Sequence, residues 1–87
     1  VSELRLRTDG LFWRESGGDV VALDAADSRF LAANRTGAVL WKRLAAGAST
    51  EDLAALLSDR YGISGDAAER DVAAFVASLR ARGLLAP

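Results

Sequence analysis

The 87-residue chain carries 11 basic and 12 acidic residues, a net charge of −1, and contains no cysteine and no histidine. A balance this close to neutral supplies no long-range attraction for nucleic acid. The two missing residue types exclude disulfides, thiolate metal sites, cysteine nucleophiles and the usual general base.

The length is that of one small domain, residues 1–87, which buries roughly 60–65% of the surface its unfolded form exposes. Much of the 51% hydrophobic content is alanine, and no run approaches the roughly 20 apolar residues of a membrane span. The opening Val1-Ser2-Glu3-Leu4-Arg5-Leu6-Arg7 alternates apolar and polar residues. That is a strand pattern and not the apolar core of a secretory signal, so a cytoplasmic protein is expected.

Turn signals at Asp9-Gly10, Gly17-Gly18 and Asp27-Ser28 divide the first third of the chain. Between them lie Leu4–Arg7, Leu11–Glu15, Val20–Asp24 and Arg29–Ala33, short segments rich in Val, Leu, Phe and Trp that read as strands. Short connections favour antiparallel hairpins, so a three- or four-stranded meander is expected, with Leu4–Arg7 as a loosely attached edge.

Three helices follow. Asn34 caps the first, which runs through Ala38, Leu40, Trp41 and Leu44 to a stop near Gly47. Thr50 is expected to cap the second, with Glu51 and Asp52 at its positive end, an apolar face of Leu53, Leu56 and Leu57, and a stop at Gly62. The third is expected to start near Asp66, with Glu69 in a capping-box-like position. Ala68, Val72, Phe75, Val76 and Leu79 then recur with a 3.6-residue period. Gly83 ends that helix, and Leu84-Leu85 tuck back onto the core. A strand meander followed by three helices is an α+β, winged helix-turn-helix-like domain.

Few residues offer chemistry. Lys42 is the only lysine and falls on the exposed phase of the first helix. Asp66, Glu69 and Asp71 surround the start of the third helix, where capping and dipole compensation account for them better than a cation does. Gly17-Gly18 lacks a phosphate-loop pattern. No catalytic residue, metal site or cofactor is therefore expected. As a DNA-reading helix, Asp66–Arg82 would present its acidic end to phosphates, with Arg80 and Arg82 at the far end.

Peptide capture fits better. An edge strand offers unpaired N–H and C=O groups to an incoming extended chain. In Arg29–Ala33, Phe30 and Ala32 point to one face and Arg29, Leu31 and Ala33 to the other. The third helix supplies a wall, because Val72, Phe75, Val76 and Leu79 are more than two short helices can cover. Arg70 and Asp71 flank Val72, placed to pair with polar groups of a ligand. Asn34 to Trp41 is expected to position the strand by capping and packing, with little ligand contact.

Several motifs resemble the PqqD-like family. They are Leu23-Asp24; Arg29-Phe30-Leu31 running into Asn34-x-Thr36-Gly37; Val39-Leu40-Trp41-x-x-Leu44; and Gly47-x-x-Thr50. The C-terminal half adds Leu53-x-x-Leu56, Tyr61-Gly62 and Asp71-Val72-x-x-Phe75-Val76-x-x-Leu79-x-x-x-Gly83-Leu84-Leu85. The resemblance covers the chain from about Leu11. It implies a RiPP recognition element: a three-stranded sheet and three helices that hold the leader of a ribosomally made precursor peptide beside the third strand, against the third helix. Carried onto this chain, the docking strand is Ser28–Ala33 and the wall is Arg70–Arg80. The implied peptide-binding residues are Ser28, Arg29, Phe30, Leu31, Ala32, Ala33, Arg70, Asp71, Val72, Ala74, Phe75 and Leu79. Leu4-Arg5-Leu6-Arg7 and Leu11-Phe12-Trp13-Arg14-Glu15 look most like the separate recognition protein of lasso-peptide clusters. That resemblance implies a cysteine-protease leader peptidase and a cyclase as partners. The cousin of pyrroloquinoline quinone biosynthesis, which presents its peptide to a radical-SAM enzyme, is the alternative.

Overall fold

The computed structural model describes residues 3–86. Its elements are β1 (Leu11–Ser16), β2 (Asp19–Asp24), β3 (Arg29–Ala33), α1 (Arg35–Ala45), α2 (Thr50–Tyr61) and α3 (Gly65–Ala81). The strands form an antiparallel sheet in the order β1-β2-β3, so β3 has a free edge. Gly17 and Gly18, at φ +61° and +90°, make the tight β1–β2 turn, whose twist demands left-handed backbone that glycine adopts without strain.

Leu4–Arg7 does not join the sheet. It bridges antiparallel to Ala48 through Leu4 and to Leu85 through Leu6, between the α1–α2 connection and the C-terminal tail. Its alternation buries Leu6, which is 3% exposed. The expected strand-like backbone is therefore present, but its partners are loops and not an edge of the sheet. Val1 and Ser2, where the alternation begins, lie outside the described residues. Arg7 locks this segment in place: its Nη2 donates to Asp24 Oδ1 at 2.7 Å and its Nη1 to the Gly83 carbonyl at 2.9 Å.

The helix starts follow side-chain caps. Asn34 Oδ1 accepts from the Gly37 N–H at 3.0 Å, as expected for α1. Ser49, and not Thr50, caps α2 in a capping box: its hydroxyl accepts from the Asp52 N–H, and the Asp52 carboxylate accepts from the Ser49 N–H. The Ser49 N–H first, then the Ser49 hydroxyl and the Arg43 guanidinium 3.8 Å away, favour the charged Asp52 carboxylate and hold it below the usual carboxylate range. Ser64, and not Asp66, caps α3 by accepting from the Ala67 N–H, so Asp66 falls in the first turn. In both helices the serine has extended backbone immediately before the first turn, which sets its hydroxyl at the free N–H groups.

The core lies between the inner sheet face and the helices. Val20 and Ala22 of β2 meet Leu40, Trp41 and Leu44 of α1, while Leu53 and Leu57 of α2 meet Ala68, Val72 and Val76 of α3. Leu84, fully buried, closes the bottom of the core as expected. On the outer sheet face Phe12, Val21 and Phe30 are exposed.

A candidate peptide groove between β3 and α3

A groove of about 440 Å³ runs along the free edge of β3. Phe30, Leu31, Ala32 and Ala33 form one side, and Phe75, Ser78 and Leu79 of α3 with its C-cap Arg82 form the other. The last four are spaced i, i+3, i+4 and i+7, one stripe of a helix. Val20, Ala22, Trp41 and Leu84 line the bottom, and Asn34 and Gly37 close one end. Of the lining residues only Arg82 is charged. Trp41 packs edge-to-face on Trp13, with ring centroids 6.1 Å apart. Gly37 has no side chain to fill the groove; a Cβ there would lie 3.2 Å from the Ala33 Cβ and 3.7 Å from Phe75 Cε1.

The arrangement suits an extended peptide. The β3 backbone offers N–H and C=O groups on alternate residues, and alternate side chains of an added strand would point into the apolar groove. Among the described residues no group of three or more carboxylates stands where it could hold a metal ion, and no helix is long and apolar enough to cross a membrane.

Of the residues expected at the site, Phe30, Leu31, Ala32, Ala33, Phe75 and Leu79 come together in the groove. Arg29 is exposed and begins β3, whereas Ser28, expected in the docking strand, lies outside it in the β2–β3 turn with left-handed backbone at φ +53°. Arg70, Asp71 and Ala74 are exposed on α3 beyond the groove lining. By helical spacing Asp71 stands one turn before Phe75, and Ala74 one turn before Ser78. Val72 is not brought to the groove: it is 1% exposed and packs between α3 and α2, beside Ala54 and Ser58.

Asn34 to Trp41, expected to position β3 by capping and packing, also borders the groove. Asn34, Gly37 and Trp41 all line the groove, because α1 follows β3 directly and its first turns close the same cleft. Ser78, inside the expected wall but not among the expected binding residues, and Arg82, beyond that wall, also line the groove; both lie in phase with Phe75, and polar side chains leave no mark in a hydrophobic period. Val20 and Ala22 were legible only through register, as the cross-strand partners of Ala33 and Leu31.

The family model for coenzyme PQQ synthesis protein D (PqqD) matches residues 19–85. The chain belongs to the PqqD family. Its fold is similar to that of a lasso peptide synthetase B1 solved in complex with its leader peptide, at 34% identity and a TM-score of 0.86, covering 99% of this chain and 100% of that one. The same fold is shared by TbiB1, solved in complex with the TbiA(beta) leader peptide, at 21% identity and a TM-score of 0.86, covering 93% of each chain. No curated protein matches the chain. The α+β arrangement of three strands and then three helices is thus the one these solved proteins share.

Proposed function

We propose that this chain binds the leader region of a ribosomally synthesised precursor peptide, taking it as an added strand on β3 against α3, without itself catalysing a reaction. The observation that carries this reading is the free edge of β3 lying directly beside Phe75 and Leu79, in a chain 34% identical to a synthetase B1 that was solved with a leader peptide. The hollow on the outer face of the sheet has no helical wall; its lining residues all come from strands. Strand addition with one or two apolar anchors gives micromolar to tens-of-nanomolar affinity, on the order of −8 to −10 kcal/mol.

In this role the chain delivers the leader to a separate cysteine-protease leader peptidase of lasso peptide biosynthesis, with a cyclase acting on the freed core. The cytoplasm, where the precursor is made, is the compartment the role implies. The description of the matched family favours a second reading, presentation of a precursor to a radical-SAM enzyme in coenzyme PQQ synthesis. Near-full coverage of a lasso peptide synthetase B1 favours the first. DNA binding has less support, since Asp66, Glu69 and Asp71 are all exposed at the start of α3 and would face phosphates.

The test is fluorescence anisotropy with two labelled peptides: the leader encoded beside this chain's gene, and the leader bound by the 34% identical synthetase B1. Saturable binding of at least one, at micromolar affinity or tighter, is expected. Absence of binding up to about a millimolar, with the chain shown folded, would end the proposal. Leader cleavage is expected only after the peptidase is added. Purification with a radical-SAM enzyme in its place would select the second reading.

A further inference from the structure

Phe12, Leu23 and Phe30 stand in one row across the outer sheet face, paired in register from β1 to β2 to β3. Phe12 is 62% exposed and Phe30 75%, although both are large apolar side chains. Solvated faces of antiparallel sheets normally carry polar residues, and a row of large apolar residues left partly in water is unfavourable. The row ends at β3, the free edge. Phe30 borders both the groove and the hollow on the outer face, so the two surfaces are continuous at that residue.

A strand added to β3 has two faces. Side chains at alternate positions enter the groove, and the intervening ones lie on the outer face. One intervening residue falls directly opposite Phe30, about 4.5–5.5 Å away between Cβ atoms, close enough for a cross-strand pair. Its outer-face neighbour along the strand falls opposite Ala32, a small residue beside Val21, which leaves room for a bulky side chain to lean over the row.

Resting on the peptide-capture reading, we infer that recognition uses both faces of the ligand: Phe30 selects an aromatic or β-branched residue on the outer face of the bound strand, between two positions that enter the groove. The substrate class is therefore an extended peptide with three consecutive apolar residues at its docking point. An alternating apolar–polar segment, which suits the groove alone, is the poorer ligand. The pair extends the Phe12–Leu23–Phe30 row by one member and covers part of the exposed Phe30 ring.

The test is a serine scan of whichever labelled leader binds the tighter, measured by anisotropy against the wild-type chain, Phe30→Ser and Leu31→Ala. Phe30 is exposed, so Phe30→Ser is expected to keep the wild-type melting temperature within a few degrees. Wild type is expected to lose affinity at three consecutive peptide positions, with a loss of roughly threefold to tenfold at the middle one. Phe30→Ser is expected to bind more weakly overall and to abolish the loss at the middle position alone. Strictly alternating sensitivity, or identical scans for wild type and Phe30→Ser, overturns the inference. If Leu31→Ala weakens binding in that same experiment, peptide capture in the groove stands without it. If neither leader binds the folded wild-type chain, both fail together.

Discussion

Gly37 at the first turn of α1 lies against Phe75 of α3, with only 3.7 Å between a Cβ placed on Gly37 and Phe75 Cε1. The strand, the helix that follows it and the far helix thus converge at one end of the groove. A methyl group at Gly37 would also come within 3.2 Å of the Ala33 Cβ, so that neighbour must give by a few tenths of an ångström. Alanine is favoured over glycine inside a helix by about 0.5–1 kcal/mol, which offsets the crowding. Gly37→Ala is therefore expected to leave thermal stability within about 1 kcal/mol of wild type while weakening leader binding several-fold. Parallel melting curves and anisotropy titrations check it.

Leu31 and Phe75 face each other across the groove as its apolar anchoring sides. Truncating either to alanine is expected to weaken leader binding by about 2 kcal/mol or more, roughly 30-fold. Phe75 is half-buried and packs on the core, so its loss also destabilises the fold by about 2 kcal/mol. The titration belongs at a temperature where circular dichroism shows the variant folded.

Arg7 and Asp24 hold the Leu4–Arg7 segment to the sheet, and Arg7 also ties in the Gly83 carbonyl. The Asp24 carboxylate is nearly buried and also accepts from the Ala26 N–H, while Arg7 keeps a quarter of its side chain in water. Removing the guanidinium leaves a buried carboxylate with one fewer partner. Arg7→Ala is expected to cost about 2–3 kcal/mol, less than a fully buried pair would because Arg7 is partly solvated. In a domain of this size that lowers Tm by roughly 10–20 °C. Asp24→Ala is expected to act similarly, and the double variant to lose less than the sum of the two.

Asp52 makes stability pH-dependent at the acid end. Its folded carboxyl titrates below its unfolded value because the Ser49 N–H and hydroxyl, and then Arg43, favour the charged form. The stabilisation is complete above the ordinary carboxylate value of about 3.9 and is lost as pH falls through the lower, folded value. Wild type is thus expected to be more stable than Asp52→Asn by a constant margin at neutral pH, and the margin to shrink below about pH 4. Thermal melts across pH 2–7 measure it.

Much of the site is legible in particular residues. The β3 bounds, Arg29 to Ala33, follow from a turn signal on one side and an asparagine cap on the other, both local. Phe75 and Leu79 show themselves by helical phase. Val72 misleads because Ala68, Val72, Phe75, Val76 and Leu79 form a stripe wider than one wall. Periodicity reports that such a stripe is covered, not how it divides between α2 on one side and β3 on the other. The placement of Leu4–Arg7 has the same origin. Alternation reveals an extended segment with one buried face, but its partners, Ala48 and Leu85, lie far along the chain. Ser78 and Arg82 carry no hydrophobic signal, and only the position of α3 beside β3 brings them to the groove.

Amide hydrogen exchange of the chain with and without saturating leader peptide tests strand addition most directly. The backbone N–H groups on the free side of Arg29–Ala33, exposed without ligand, are expected to gain protection on alternate residues, with little change in β1. Tight binding that leaves the β3 amides unprotected, or that protects Leu11–Ser16 in their place, would contradict capture at this edge.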